Sequence, residues 1–191
     1  MKTIKPFLRV VLLLCAVAMV ASLKFPVWKI ILEAPQYPEG LKMEIWSNKI
    51  AGDVDKINGL NHYIGMGVIL DENFPELKII PYCVVIMGIL GLLVAATGKR
   101  WALWLFVIYQ FIFGAWGMYR FWYWEYEYGH NLDPHAAIKI EGMAYQPPLL
   151  GWKQLLNFVA GSFPDTGGLL VIIPSVIIVL ILLYEQFFRK N

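Results

Sequence analysis

Residues 79–124 read IIPYCVVIMGILGLLVAATGKRWALWLFVIYQFIFGAWGMYRFWYW, and the architecture turns on this stretch. Ile79 to Thr97 is an uncharged apolar run, and about 20 such residues cross the ~30 Å hydrocarbon core of a bilayer as a helix. Pro81 lies in its first turn, where a missing backbone N–H matters least. Gly98-Lys99-Arg100 has room only for a tight turn, and Trp101 to Trp124 is a further apolar run. Twelve of those 24 residues are Trp, Tyr or Phe, more than two interfacial aromatic belts require. Gly114 and Gly117 offer a flat patch for close helix approach, and Arg120 is placed to meet Glu125 or Glu127.

Two more spans flank this pair. Lys2, Lys5 and Arg9 precede the run Val10 to Leu23, the layout of a signal peptide with Ala16-Val17-Ala18 as its cleavage site. Apolar residues resume beyond Lys24, however, and Trp28 suits an interface, so an uncleaved helix from Pro6 to Trp28 is the better reading. Leu169 to Tyr184 is the fourth span, with a kink expected at Pro174. The whole chain of 191 residues is 59% hydrophobic with a mean hydropathy of +0.58, well above the roughly 45–50% apolar content of soluble domains. Cys15 and Cys83 both sit in apolar runs, which leaves no disulfide framework and no cysteine-based zinc site.

Charge orients the spans. The N-terminus, the 98–100 turn and the C-terminal tail hold seven Lys/Arg (positions 2, 5, 9, 99, 100, 189 and 190) against one acid, Glu185. The remaining nine Lys/Arg and 13 acids lie between. By the positive-inside rule both termini are cytoplasmic and both long polar segments lie outside, in a multi-pass membrane protein. The expected organisation is a cytoplasmic N-terminus and first span over 1–32, an outer segment over 33–77, the second and third spans over 78–124, an outer segment over 125–166, and the fourth span with its tail over 167–191. The fold class is then mainly α: four transmembrane helices with a small extracytoplasmic α+β domain built from the two outer segments.

Within the first outer segment, Pro35, Pro38 and Gly40 punctuate an extended opening. Leu41, Met43 and Ile45 alternate with Lys42, Glu44 and Trp46, the period of a half-buried strand. Asp53 caps a helix in which Val54, Ile57, Leu60, Asn61 and Ile64 recur at helical spacing. In the second, Trp152, Leu155, Leu156 and Val159 fall on one face of a helix over 151–160, expected to lie along the interface or on the first segment.

The chemistry-bearing residues concentrate on the outer side. No span contains a histidine, which removes the commonest way of holding a haem between helices. Ser162 lacks a G-x-S-x-G context, and the acids Glu125, Glu127, Asp133 and Glu141 read as solvated surface, so no enzymatic motif stands out. What remains is His62 and Met66 in Asn58-Gly-Leu-Asn-His-Tyr-Ile-Gly-Met66, one turn apart if that segment is helical. With them are His130, His135 and Met143, and Met43 in reserve. Imidazole and thioether together suit copper, Cu(I) above all, and Tyr63, Tyr126 and Tyr128 are placed to orient the ligands. Set against this, Met66 is equally at home as packing filler.

Ala34-Pro-Gln-Tyr-Pro38, Gly52-Asp53-Val54, Ile57-Asn58 and Leu60-Asn-His-Tyr-Ile-Gly-Met66 together resemble a family of small four-span bacterial membrane proteins found beside nitrous oxide reductase genes and their copper-delivery factors. The resemblance covers residues 34–66 and extends to Tyr145-Gln-Pro-Pro148 and Pro164-Asp-Thr-Gly-Gly168. It implies an accessory role in maturing a periplasmic copper enzyme, with that enzyme or its maturation factors and the lipid bilayer as partners, and no nucleic acid. Two other readings stay open: a non-metal scaffold that docks partner proteins, and a subunit of a redox complex that meets quinone through the aromatic third span.

Overall fold

A computed structural model describes residues 3–138, 140 and 142–188. Helix α1 (Pro6–Ala21) starts on a proline at its first position and runs into a 3-10 turn at Ser22–Lys24. Strands β1 (Trp28–Ala34), β2 (Tyr37–Ile45) and β3 (Ile50–Gly52) follow, then α2 (Val54–Ile64), α3 (Ile80–Thr97) and α4 (Arg100–His130). The hairpin β4 (Gly151–Leu155) and β5 (Phe158–Pro164) leads into α5 (Thr166–Leu183). Four helices, α1, α3, α4 and α5, are long and apolar enough to cross a membrane, and the chain is a multi-pass membrane protein. It is not mainly α as expected, because five strands form one antiparallel sheet in the order β3-β2-β1-β5-β4.

The bundle is organised by α1. Leu8, Leu12, Cys15 and Met19 are buried on one stripe, packed with Met87 and Val94 of α3, Leu103 and Phe106 of α4, and Ile178 and Ile181 of α5. Phe7, Val10, Leu14 and Val17 point outward, as the side of a helix facing lipid does. The close approach of α1 and α3 is made by Gly88 and Gly91, where an added Cβ would come within 2.3 Å of Val20 and 2.5 Å of Ala16. At the patch expected on Gly114 and Gly117 an added Cβ would meet nothing within 4 Å among the described residues, so within them those glycines bring no helix together.

One end of the bundle gathers the basic residues. The Ile4 N–H donates to the Gly98 carbonyl (2.8 Å), and the Arg9 guanidinium reaches the Ala95 and Ala96 carbonyls at the end of α3, where a cation meets the negative pole of the helix. Lys5 donates to the Tyr184 hydroxyl and Arg100 to the Glu185 carboxylate.

The sheet closes the other end, and it differs from the expected pattern in three places. The first helix does not reach Trp28: Pro26 interrupts it, and Trp28-Lys-Ile-Ile-Leu-Glu-Ala34 is rich in strand-forming residues. The interfacial helix over 151–160 is a β-hairpin. Its helical spacing of apolar residues is coincidental, because Leu155 pairs with Phe158 around a two-residue loop whose Leu156 has φ 55°. Across the pair, the Trp152 ring covers Gly161, where a Cβ would come within 2.4 Å of it. The third span does not stop at Trp124 but continues as helix to His130. At 1.5 Å per residue its 31 residues measure about 46 Å, so about 16 Å is surplus to a ~30 Å hydrocarbon core.

That surplus helix lies under the sheet. Phe121 packs on Trp28, Trp124 on Phe74, and Tyr128 on both Phe74 and Trp124. Of the aromatic residues in the third span, Phe121 and Trp124 join this wall, whereas Trp101, Trp104, Phe111, Tyr119, Trp122 and Tyr123 are exposed. Arg120 pairs with Glu76 rather than with Glu125 or Glu127. Pairing of β1 with β5, from Trp28 opposite Pro164 to Glu33 opposite Val159, joins strands from both polar segments into one sheet.

Candidate functional site

Between the inner face of the sheet, α2 and the far end of α4 lies a cavity of about 460 Å³. The sheet supplies Ile30 and Leu32 of β1, Met43 of β2, and Leu155 and Phe158 of the β4–β5 hairpin; α2 supplies Ile57, Leu60, Asn61 and Ile64. Trp124, Glu125 and Tyr128 of α4 form the third wall, and Tyr145 and Pro147 come from the loop before β4.

The motif strings of the sequence converge here. In Asn58-Gly-Leu-Asn-His-Tyr-Ile-Gly-Met66, the Asn58 amide holds Ile69 from both sides, accepting from its N–H (2.8 Å) and donating to its carbonyl (3.0 Å). Leu60, Asn61, Tyr63, Ile64 and Met66 line the cavity. Gly65 ends α2 at φ 80°, and a Cβ there would meet Asp133 and Ala136 at about 3 Å, so only glycine fits both the turn and the contact. Ala34, Gln36 and Tyr37 of the Ala34–Pro38 string form another part of the wall. The Tyr145–Pro148 string is docked on α4 by the Tyr145 N–H, which donates to the Gly129 carbonyl (2.9 Å). Gly129 permits this, since a Cβ would lie 2.5 Å from Gln146.

Three residues of this wall carry buried polar atoms with no hydrogen-bond partner among the described residues. Glu125 is 1% exposed and neither of its carboxyl oxygens is hydrogen-bonded; the Tyr145 hydroxyl (residue 2% exposed) and the Trp124 Nε1–H are likewise unpartnered. Buried polar atoms are almost always paired, and each exception carries a desolvation penalty of about 1–3 kcal/mol. Glu125, read from the sequence as solvated surface, is thus among the most buried residues of the chain. Its position between Trp124 and Tyr126 in an aromatic helix was the available signal.

The expected metal residues are distributed differently. His62 and Met66 are not one turn apart on a helix, because the left-handed Gly65 ends α2 between them. His62 is exposed, with the Tyr63 ring as its neighbour, while Met66 is half-buried on the wall of the cavity. His130 is exposed at the end of α4, its ring stacked on Tyr126 at 4.0 Å and its Nδ1–H donating to the Tyr126 carbonyl (3.0 Å). His135 is exposed in a turn that its backbone N–H makes with the Asp133 carboxylate, and Met143 is half-buried. The stretch carrying His135 does lie against the one carrying His62 and Met66, through Asp133 N–H to the Gly65 carbonyl (2.8 Å) and Ile138 N–H to the Tyr63 carbonyl (2.9 Å). Among the described residues no three His, Cys, Asp or Glu side chains converge. Glu141, one of the acids singled out in the sequence, lies outside the described residues.

At the junction with the bundle, Asp165 caps α5 through the Thr166 N–H (2.7 Å) and faces Lys42 (3.4 Å) and Lys29 (3.8 Å) of the sheet. Burial pushes its carboxyl up, but the Thr166 N–H and the two ammonium groups outweigh it and hold Asp165 below the usual carboxylate range. The Pro164–Gly168 string is a close-packing device: Cβ atoms on Gly167 and Gly168 would strike the Phe25 and Val27 carbonyls at 2.7 and 2.2 Å.

Compared with family models, with curated proteins and with solved structures, the chain finds no match in any of the three.

Proposed function

We propose that the protein is a membrane-anchored binding protein whose site is the cavity under its sheet. The observation that carries this reading is convergence: three separate motif strings, Ala34–Pro38, Asn58–Met66 and Tyr145–Pro148, all contribute walls to one apolar cavity. Its volume lies within the ~300–1,000 Å³ usual for small-molecule sites. By the positive-inside rule the basic excess at the opposite end favours a sheet on the outer side, and in this reading the cavity serves the outer face of the membrane. The test is native mass spectrometry of the protein released from its own membranes. A small organic molecule should ride with the wild-type protein and be absent from a folded Leu60→Trp variant, whose added ring occupies the cavity. Wild-type protein free of any such mass would count against a resident ligand.

A copper-delivery role for a periplasmic enzyme such as nitrous oxide reductase is the second reading. It is favoured by the backbone contacts that lay the His135 stretch against His62 and Met66. It also gains from the His130 Nδ1–H bond to Tyr126, which leaves Nε2 as the nitrogen available to a metal. A His/Met set drawn from His62, Met66, His130, His135 and Met143 would hold Cu(I) and still exchange it. The check is Cu(I) stoichiometry in Met66→Leu, a packing change costing under about 1.5 kcal/mol. Copper delivery by this set requires stoichiometry to fall; full retention with normal maturation of the partner enzyme leaves Met66 as cavity wall.

A further inference from the structure

We propose that the ligand of the cavity is a neutral lipophile drawn from the membrane, which reaches it through a second, smaller pocket at the bilayer surface. This rests on the binding reading above and adds the class of the ligand, its source and its route. The smaller pocket measures about 220 Å³ and is lined by Ile45 of β2, Leu77, Ile80 of α3, and Trp116, Gly117 and Phe121 of α4. Its depth follows from the helices. α3 has 18 residues, about 27 Å at 1.5 Å each, against a hydrocarbon core of ~30 Å. Ile80 is its first residue, and Gly117 is the eighteenth of α4, which runs back from the turn at Gly98-Lys99. The two are therefore level, at the edge of the hydrocarbon on the sheet side. Just beyond stand Arg120, paired with Glu76, and Tyr123, whose ring lies 5.3 Å from the guanidinium. Such side chains collect where lipid meets water.

The two cavities adjoin. On the inner face of β2, Met43 lines the larger and Ile45 the smaller, successive inward residues of one strand. On α4, Trp124 and Tyr128 line both. A ring that lines two cavities has one on each side, so these two side chains are the partition. Phe74 packs against them, with ring centroids 5.1 Å from Trp124 and 5.9 Å from Tyr128. The Tyr128 ring is latched by its hydroxyl, which donates to the Val68 carbonyl (3.0 Å) and accepts from the Asn73 amide (3.2 Å). Both partners lie between α2 and α3, where the chain forms only 3-10 turns. The latch is thus fastened to a loop, the kind of segment that opens locally most readily.

The lining sets the class of ligand. Among the described residues no Lys, Arg or His lines the larger cavity, so a carboxylate or phosphate would be buried there without a counter-charge. A charged molecule is scarce in hydrocarbon for the same reason. Ile30, Met43, Ile57 and Leu60 present hydrocarbon and thioether, which suits what a bilayer dissolves. A ligand of this kind is concentrated in lipid and dilute in water, and from the lipid side two rings stand in its way.

The experiment uses full-length protein in lipid nanodiscs and tritiated adamantane diazirine, a neutral lipophile that on irradiation inserts into nearby bonds. Samples are mixed with the probe, frozen at intervals and irradiated. Label at Phe7, Val10 and Leu14, which face lipid, times arrival in the bilayer; label at Met43 and Leu60 times arrival in the cavity. In wild type the cavity should fill after the bilayer. Gly117→Trp, at a position where an added Cβ meets nothing within 4 Å among the described residues, and Ile80→Trp on the facing wall each obstruct the smaller pocket. Both should fill the cavity several-fold more slowly and reach the wild-type plateau. Tyr128→Phe keeps the ring and removes the latch, so filling should be about tenfold faster, the worth of one or two hydrogen bonds. Absence of cavity label in wild type would remove the binding site and this inference with it. Cavity label that appears at the wild-type rate in both Trp variants keeps the binding site and overturns the route. A lowered plateau without slower filling in those variants also overturns it, as does an unchanged rate in Tyr128→Phe.

Discussion

The bundle and the space under the sheet are both apolar, yet one is closed by small residues and the other held open by large ones. Between α1 and α3, Gly88 and Gly91 admit Val20 and Ala16 to within the distance of a missing methyl group, and the helices touch. Under the sheet, Trp124 and Tyr128 of α4 stand against Phe74, and a space of about 460 Å³ remains between them, α2 and the strands. The same hydrophobic driving force acts in both regions. What differs is side-chain size at the contact. Close packing is the rule for protein interiors, so a departure on one side only points to use.

The comparison breaks most sharply at Gly91. Gly91→Leu places a side chain where even a Cβ would lie 2.5 Å from Ala16 and 3.1 Å from Phe106, and overpacking of this kind costs about 1–3 kcal/mol or more. A thermal unfolding midpoint several degrees below wild type is expected, measured by tryptophan fluorescence in detergent. Gly114→Leu, with nothing within 4 Å, should leave the midpoint unchanged. Equal effects of the two substitutions would mean that α1 and α3 are not held by glycine contact.

Under the sheet the sign reverses. Glu125→Leu removes a buried carboxyl with no hydrogen-bond partner among the described residues and replaces it with an apolar side chain of similar size. The gain should be about 1 kcal/mol, the desolvation penalty of the unpaired group less the imperfect fit of leucine. The variant should melt above wild type in the absence of ligand. Stabilisation accompanied by loss of the cavity's ligand is the pattern of a site kept at the expense of stability. A lower midpoint would show instead that Glu125 is satisfied within the protein.

How far these regions could be read beforehand follows from the same difference. The second span was legible because an apolar run closed by Gly98-Lys99-Arg100 has one physical solution, a membrane helix and a turn. The strand at Leu41–Ile45 and the helix after Asp53 were legible from their periods of 2 and 3.6, and both are observed. The β4–β5 hairpin was not, because Trp152, Leu155, Leu156 and Val159 also fit a helical stripe, and its loop carries Leu156 and Asn157 where a glycine would have marked the turn. Glu125 was hidden for another reason. Local polarity after Trp124 suggests a loop in water, and only the sheet packed across α4 turns that segment into a buried wall. The cavity itself joins residues from 30 to 158, and no local pattern encodes such convergence.

The smallest effect expected lies where the two regions meet. Asp165 caps α5, at the edge of the bundle, while its carboxylate faces Lys29 and Lys42 of the sheet. Because the folded state holds Asp165 below the usual carboxylate range, its unfolded form binds a proton more readily than its folded form. The linkage is therefore fully present above the unfolded value, about 3.9 for a free aspartate. It is lost as pH falls through the lower folded value, when the carboxylate is protonated and both the cap and the ion pairs weaken. Lys29 and Lys42 are partly exposed, so solvent screens much of the pairing and the change is small. Unfolding midpoints of wild type and Asp165→Asn, measured from pH 7 down to about 3, should converge as the acid limb is approached. The asparagine keeps a capping oxygen and loses only the charge, so the gap at pH 7 isolates the ion pairs. A gap that stays constant across the range would show that the Asp165 charge does not tie the sheet to the bundle.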